Sequence, residues 1–138
     1  MLKLIAFIDN GSDTTLITKR FAVNGNITTR PSFLMISTVN GTKATSTNHA
    51  NLTLVSIFNG EGVEVTEAST IADLPMRAVE SIGELATRWP YLRDLCFKEG
   101  DSPEVDVLIE CEVPEAHWVL DQRPGDRKEP YAARTMVG

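Results

Sequence analysis

The chain has 138 residues, of which 42% are hydrophobic and 23% are charged, and this composition fits a single globular domain, residues 1–138, with its own core. Its net charge of −6 argues against nucleic acid as the main partner, because phosphate binding needs clustered lysine and arginine. The sequence shows neither a secretory leader nor an apolar run near the roughly 20 residues that span a bilayer, so we expect an intracellular, cytoplasmic protein that does not bind membranes.

The first predicted element is a short apolar strand over residues 2–8, which ends at Asp9. Small and polar residues follow it: Asn10, Gly11, Ser12, Asp13 and Thr14. The glycine allows a tight turn, and the hydroxyl groups of this segment can donate hydrogen bonds to the carboxylate. Two interpretations remain open at this point. Asp9 is either a catalytic acid presented at a strand end or part of an ordinary Asx turn.

A hairpin is predicted in the next part of the chain. Residues 33–39 are rich in β-forming side chains and end at Asn40-Gly41, a dipeptide that favours tight turns. This segment is therefore expected to form one arm of the hairpin. The polar stretch 42–51 is interpreted as its mobile tip.

A second hairpin follows directly. Over residues 52–58 the two faces of a strand would be Leu52, Leu54, Ser56 and Phe58 on one side and Thr53, Val55 and Ile57 on the other. Asn59-Gly60 provides a turn, and residues 63–68 alternate as in a half-buried strand. The pattern predicts two antiparallel strands that each bury one face.

One amphipathic helix is predicted over residues 78–89, and Pro90 ends it. Its apolar face has helical spacing and consists of Val79, Ile82, Leu85, Ala86 and Trp89. The β-branched run 105–109 is typical of a buried strand, and residues 114–120 are expected to form a short helix with Pro114 in its first turn.

The remaining chemistry-bearing residues form no recognisable relay. Cys96 and Cys111 lack metal-ligand spacing and are interpreted as buried thiols. His49 and His117 are 68 positions apart and are interpreted as surface or packed histidines. We therefore expect no metal and no cofactor, and Asp9 is the one candidate for chemistry.

Several blocks of sequence together carry a family resemblance. They are residues 8–17 around Asp9, residues 36–41, the Trp-Pro-Tyr-Leu run 89–92, and the carboxy-terminal set 105–109, 113–123 and 130–135. On these blocks, which extend nearly end to end, the chain resembles the retropepsin-like aspartic protease domain of Pao/BEL-type retrotransposon polyproteins. The carboxy-terminal set is the specific part, since an Asp-x-Gly block alone is common.

The resemblance implies a mostly β, retropepsin-like acid protease fold with one amphipathic helix and a short carboxy-terminal helix. It also implies a homodimer that cleaves a polypeptide substrate, the retrotransposon polyprotein, with one Asp9 from each chain sharing a proton. The active-site loop would comprise Asn10, Gly11 and Ser12. Substrate would be held by Asp13 and by a flap whose tip is Thr38, Val39, Asn40 and Gly41.

Three features depart from that family. Asn10 stands where the family has serine or threonine, and Glu110 stands where it has glycine. Glu110 is therefore expected to be buried without a partner or to push its strand aside. Only eight residues precede Asp9, so the domain is expected to lack an amino-terminal strand. An alternative function is a catalytically inactive module of the same fold that binds peptides or dimerises, and an unrelated β domain is a third interpretation.

Overall fold

A computed structural model describes residues 2–9, 11, 13–77 and 80–138. This part of the chain contains eight strands and three short helices. In chain order they are β1 (Ile5–Ile8), β2 (Leu16–Thr18), α1 (Lys19–Asn24), β3 (Arg30–Thr38), β4 (Gly41–Val55), β5 (Gly62–Ile71), α2 (Ile82–Thr87), β6 (Val105–Ile109), α3 (Pro114–His117), β7 (Asp121–Arg123) and β8 (Ala132–Arg134), with a 3-10 turn at Pro90–Leu92. The prediction of a mostly β chain is confirmed.

Six strands form one mixed sheet in the order β1-β6-β2-β5-β4-β3, and β7 pairs with β8 in a separate two-stranded sheet. β6 lies between β1 and β2, parallel to the first and antiparallel to the second. All five residues of β6 are buried, which confirms the prediction for residues 105–109. A strand from late in the chain thus holds together the two strands that flank Asp9.

The predicted first hairpin is confirmed, with β3 and β4 paired from Arg30 opposite His49 to Thr38 opposite Gly41. The interpretation of residues 42–51 as a mobile tip is wrong, because this polar stretch lies within the continuous strand β4. Its serine, threonine and asparagine side chains gave no apolar alternation to detect. Backbone pairing with β3 orders the segment instead.

The second hairpin is also confirmed, since β4 pairs with β5 across a turn that contains Asn59 and Gly60. Leu54, Val63 and Val65 are buried, whereas Thr53 and Glu64 on the alternate positions are exposed. The two-residue period therefore corresponds to one core-facing side of these strands.

The helices are shorter than the sequence pattern suggests. α2 begins at Ile82 after Ser81, whose hydroxyl accepts the Glu84 N–H, and it ends at Thr87 rather than at residue 89. Ala86 is buried, but Ile82 is 48% exposed, so only part of the predicted apolar face packs; Val79 lies outside the described residues. α3 ends at His117 instead of residue 120.

Helix α1 was not predicted. The Thr18 hydroxyl accepts the Phe21 N–H at its start, and Phe21 and Ala22 are buried. Six residues are too few to show a 3.6-residue period, so a cap and one apolar pair are its only signals.

The main core lies where α1, β2, β4, β5 and β6 meet. Its fully buried members include Ile17, Ala50, Ala68, Val107 and Ile109. A cleft of about 690 Å³ opens beside this core between β1 and β4, and apolar side chains such as Leu4, Ala6 and Leu54 line it. In the described residues no helix is long and apolar enough to cross a membrane.

The β7–β8 hairpin is fastened to the 3-10 turn by an ion pair. Arg123 donates two hydrogen bonds to Asp94, at 2.9 Å to Oδ1 and 3.0 Å to Oδ2. The Tyr91 hydroxyl donates to the Pro130 carbonyl in the same region. The hydrogen bonds from Arg123 lower the pKa of the Asp94 carboxyl below its ordinary value.

We predict that Asp94 titrates below the ordinary aspartate range and that Arg123→Gln returns its pKa to that range. Because the folded-state pKa is depressed, this pair stabilises the hairpin above the unfolded-state pKa, and the contribution is lost as pH falls through the folded-state pKa. Carboxyl carbon shifts followed by NMR during acid titration measure the effect. Arg134→Gln on β8 is the matched control, and an unchanged Asp94 pKa in Arg123→Gln would contradict the prediction.

Candidate functional site

Asp9 directly follows β1, at the end of the sheet where β6 also ends. Its backbone N–H donates to the carbonyl of Ile109 at 2.9 Å, which continues the pairing of β1 with β6 by one residue. The residue is partly buried. Asp9 therefore lies at the end of a strand, as predicted, but the strand is not buried: β1 covers only Ile5–Ile8 instead of residues 2–8, and it exposes Phe7 and Ile8.

The Asp9 carboxylate turns back onto its own loop. Oδ1 accepts the Gly11 N–H at 2.9 Å, which is the hydrogen bond of an Asx turn. A Cβ on Gly11 would lie 3.3 Å from that same oxygen, so glycine allows the backbone to approach the carboxylate closely. Asn10 and Ser12, both predicted members of the active-site loop, lie outside the described residues.

After Gly11 the loop passes from an exposed residue, Asp13, to a buried one, Thr15. Asp13 is exposed, and its Oδ1 accepts a hydrogen bond of 3.4 Å from the Thr14 hydroxyl. Thr15 is buried, and its carbonyl accepts the Ser69 N–H of β5 at 2.9 Å. The loop thus leaves the end of β1, exposes Asp13, and returns to the core at Thr15.

Glu110 corrects an expectation drawn from the sequence. It is 5% exposed, as expected for a buried position, but its carboxylate has partners: Oε1 accepts the Thr15 hydroxyl at 3.4 Å, and Oε2 accepts the Glu112 N–H. The strand is not displaced either, because Leu108 remains in register with Phe7 and with Leu16. The expectation failed because Thr15 lies 95 positions away, and no local pattern connects it to Glu110.

The predicted flap tip lies in the turn between β3 and β4. Val39 is fully exposed, and the Asn40 N–H donates to the Thr38 hydroxyl at 3.2 Å. Gly41 has a φ of 123°, a backbone conformation that residues other than glycine rarely adopt. The hairpin lies at the opposite end of the strand order from β1, so the two predicted parts of the site come from opposite edges of the sheet.

The two histidines are partly buried, whereas the two cysteines are exposed. His117 is partly buried, and its Nε2 lies 2.9 Å from the Glu110 carbonyl; since a carbonyl can only accept, Nε2 carries the proton. His49 is partly buried in β4, in agreement with a packed role. The interpretation of Cys96 and Cys111 as buried thiols is wrong, because both are exposed. Within the described residues, no three histidine, cysteine or acidic side chains cluster as a metal site.

Two hydroxyl-to-carboxylate contacts between β6 and the neighbourhood of β2 were missed by sequence reasoning. Thr15 contacts Glu110 near one end of β6, and Thr18 donates to Asp106 at 2.7 Å near the other. A signal exists in retrospect: threonines flank the apolar pair Leu16-Ile17, and acids flank the apolar run 107–109. An antiparallel pairing of the two segments places each threonine beside an acid.

Comparison with known proteins adds no family assignment. The chain matches no family model, and it has no significant match among curated sequences or solved structures.

We predict that Glu110→Gly lowers the free energy of unfolding by about 1 to 3 kcal/mol, because the Thr15 hydroxyl and the Glu112 N–H lose their acceptor. Chemical denaturation monitored by tryptophan fluorescence measures the change. Glu112→Gly, an exposed residue beside the same turn, is the control for backbone flexibility. Equal or greater stability of Glu110→Gly relative to the unmodified chain would show that the buried carboxylate is a defect.

Proposed function

We propose that the chain is an aspartic endopeptidase of retropepsin-like fold, active as a homodimer, in which one Asp9 from each protomer forms the catalytic pair. The observation that carries the proposal is the placement of Asp9. A partly buried carboxylate stands at the end of a strand, its backbone is fixed by Ile109 and its Oδ1 is held by the Gly11 N–H. The sequence resemblance to Pao/BEL-type proteases supports the same assignment.

The sheet order supports the dimeric arrangement. Among the described residues β1 is an edge strand, paired with β6 on one side only, and its Phe7 and Ile8 are 45% and 37% exposed. The carboxyl group that follows such a strand is accessible to a second copy of the chain. Burial of the two exposed side chains would contribute to association through the hydrophobic effect.

The chemistry of such a pair follows from electrostatics. Two carboxyl groups in contact cannot both ionise, so they share one proton and titrate with separated apparent pKa values. The ionised member removes a proton from a water molecule, whose oxygen attacks the scissile carbonyl carbon while the protonated member donates to the carbonyl oxygen. Proton transfer to the amide nitrogen then accompanies cleavage of the C–N bond. These steps require neither a metal nor a cofactor.

The hairpin of β3 and β4 and the exposed Asp13 are proposed to bind the polypeptide. Backbone groups at Thr38 to Gly41 can pair with an extended chain, as strands do, and closure of the tip would exclude water. Alternate side chains on β3, Phe33 and Met35, are 72% and 62% exposed and offer apolar contacts to such a chain. The natural substrate proposed is the retrotransposon polyprotein.

A second candidate function is peptide binding or dimerisation without catalysis. The free edge of β1 favours it, because an unpaired edge accepts an added strand and needs no chemistry. The two functions differ in one respect. Only the protease requires the Asp9 carboxyl group.

We predict that Asp9→Asn abolishes cleavage of an unfolded protein substrate between about pH 4 and 7, where shared-proton pairs operate, while folding is preserved. Asp126→Asn, an exposed aspartate in the carboxy-terminal region, is the matched control and retains activity. Cleavage is followed by mass spectrometry at high protein concentration. Equal cleavage by both variants would refute the assignment. Peptide binding by both variants, with cleavage by neither the variants nor the unmodified chain, would favour the inactive module.

Mixing experiments test the requirement for two chains. We predict that an equal mixture of unmodified and Asp9→Asn protein retains only about one quarter of its dimers with both carboxyl groups, so activity falls below the simple dilution value. Sedimentation measures the dimer fraction in the same samples. Activity proportional to the amount of unmodified chain, at every concentration, would indicate that one chain suffices.

A further inference from the structure

We propose that Glu110 is a positioning residue that fixes the loop carrying Asp9. This inference deepens the proposed protease function and rests on it for its catalytic consequence. The physical claim concerns the loop itself. It states that a buried carboxylate, acting through Thr15, restrains Asp9 and Gly11.

Glu110 contacts Thr15 through both its backbone and its side chain. Its N–H donates to the Thr15 hydroxyl at 3.2 Å, and that hydroxyl donates to Glu110 Oε1 at 3.4 Å. The backbone amide and the carboxylate of one residue therefore use the acceptor and the donor capacity of one threonine. The second carboxylate oxygen accepts the Glu112 N–H, which holds the side chain in place.

The two ends of the Asp9 loop meet at neighbouring residues of the chain. Ile109 accepts the Asp9 N–H at 2.9 Å, and Glu110 binds Thr15. Residues 109 and 110 thus hold the first and the last residue of the loop together. A change at Thr15 is therefore expected to reach Asp9 through the adjacent residues 109 and 110.

The Glu110 carboxylate strengthens the contact with Thr15 because both groups are buried. Glu110 is 5% exposed and Thr15 is 4% exposed, so water does not readily replace either partner. Leaving such a polar acceptor unpaired in the core is costly, because it loses its hydrogen bonds with water and gains none in return. The loop conformation that satisfies the carboxylate is therefore favoured over those that do not.

The groups around Glu110 serve to hold it. His117 donates from Nε2 to the Glu110 carbonyl, and the Val113 N–H lies 3.3 Å from the same oxygen. Both the main chain and the side chain of Glu110 are thereby fixed. In the family that the sequence resembles, glycine stands at this position; it would keep the backbone N–H contact to Thr15 but would lack the carboxylate contact.

A comparison within the same sheet shows that the role is local. Asp106, near the other end of β6, is also buried, but it binds Thr18 and the guanidinium of Arg20 and supports the start of α1. Thr18→Val is consequently a matched control for Thr15→Val. Each removes one buried hydroxyl at an end of β2 that contacts a carboxylate.

Amide hydrogen exchange followed by NMR tests the proposal directly. We predict that Thr15→Val and Glu110→Ala each accelerate exchange of the Asp9 and Gly11 amides by about tenfold or more, the loss expected for one buried hydrogen bond. Amide exchange in the double variant is no faster than in the faster single variant, because both substitutions disrupt the same contact between Thr15 and Glu110. Thr15→Ser restores the exchange rates of the unmodified chain, and Thr18→Val leaves the two loop amides unchanged relative to Leu54 in β4.

Uniform acceleration across β4 and β5, or unchanged Asp9 and Gly11 amides, would overturn the proposal. The catalytic consequence is read separately: Thr15→Val lowers kcat by about ten to a hundredfold with little change in KM, because the carboxyl group is misplaced but the peptide still binds. If the unmodified chain shows no cleavage that depends on Asp9, the proposed function fails. The exchange rates still decide whether Glu110 fixes the loop.

Discussion

The insertion of β6 between β1 and β2 is the constraint on which the rest of the structure depends. Val105 to Ile109 are buried at every position, so this strand has no solvent-facing side on which to place polar groups. The acids at and beyond its ends must therefore be satisfied from neighbouring elements. Thr18 and Arg20 satisfy Asp106, and Thr15 and the Glu112 amide contact Glu110. The same pairing fixes the backbone of Asp9.

This arrangement explains which parts of the fold could be predicted from the sequence. The two hairpins are encoded locally, by Asn-Gly turns and by alternation over a few residues, and both form where expected. The polar half of β4 and the six-residue helix α1 could not be recognised. The first is ordered by pairing with β3 rather than by its own apolar pattern, and the second is shorter than the period that identifies a helix.

The candidate site also contains a part that the local sequence predicts and a part that it does not. Asp9 and Gly11 are near neighbours, and their turn follows from the residue types alone. Glu110 was expected to lack a partner because the resembled family has glycine at that position. Its partner Thr15 could not be foreseen, since it is 95 positions away and only the antiparallel register of β2 and β6 brings the two together. The exposed Cys96 and Cys111 illustrate a related limit. Burial of a single small side chain depends on which loop covers it, and the sequence does not encode that locally.

In the proposed enzyme, the two requirements of an acid pair are met at different levels of structure. One chain fixes its own carboxyl group, through the Ile109 carbonyl, the Gly11 amide and the tie between Thr15 and Glu110. In this proposal the second carboxyl group comes from the partner, across β1, whose outer edge has no neighbouring strand in the described part of the chain. A loop ordered within each chain has less conformational entropy to lose when the pair forms. In the proposed dimer, restriction of the loop by the Glu110 carboxylate before the partner binds lowers the entropic cost of association.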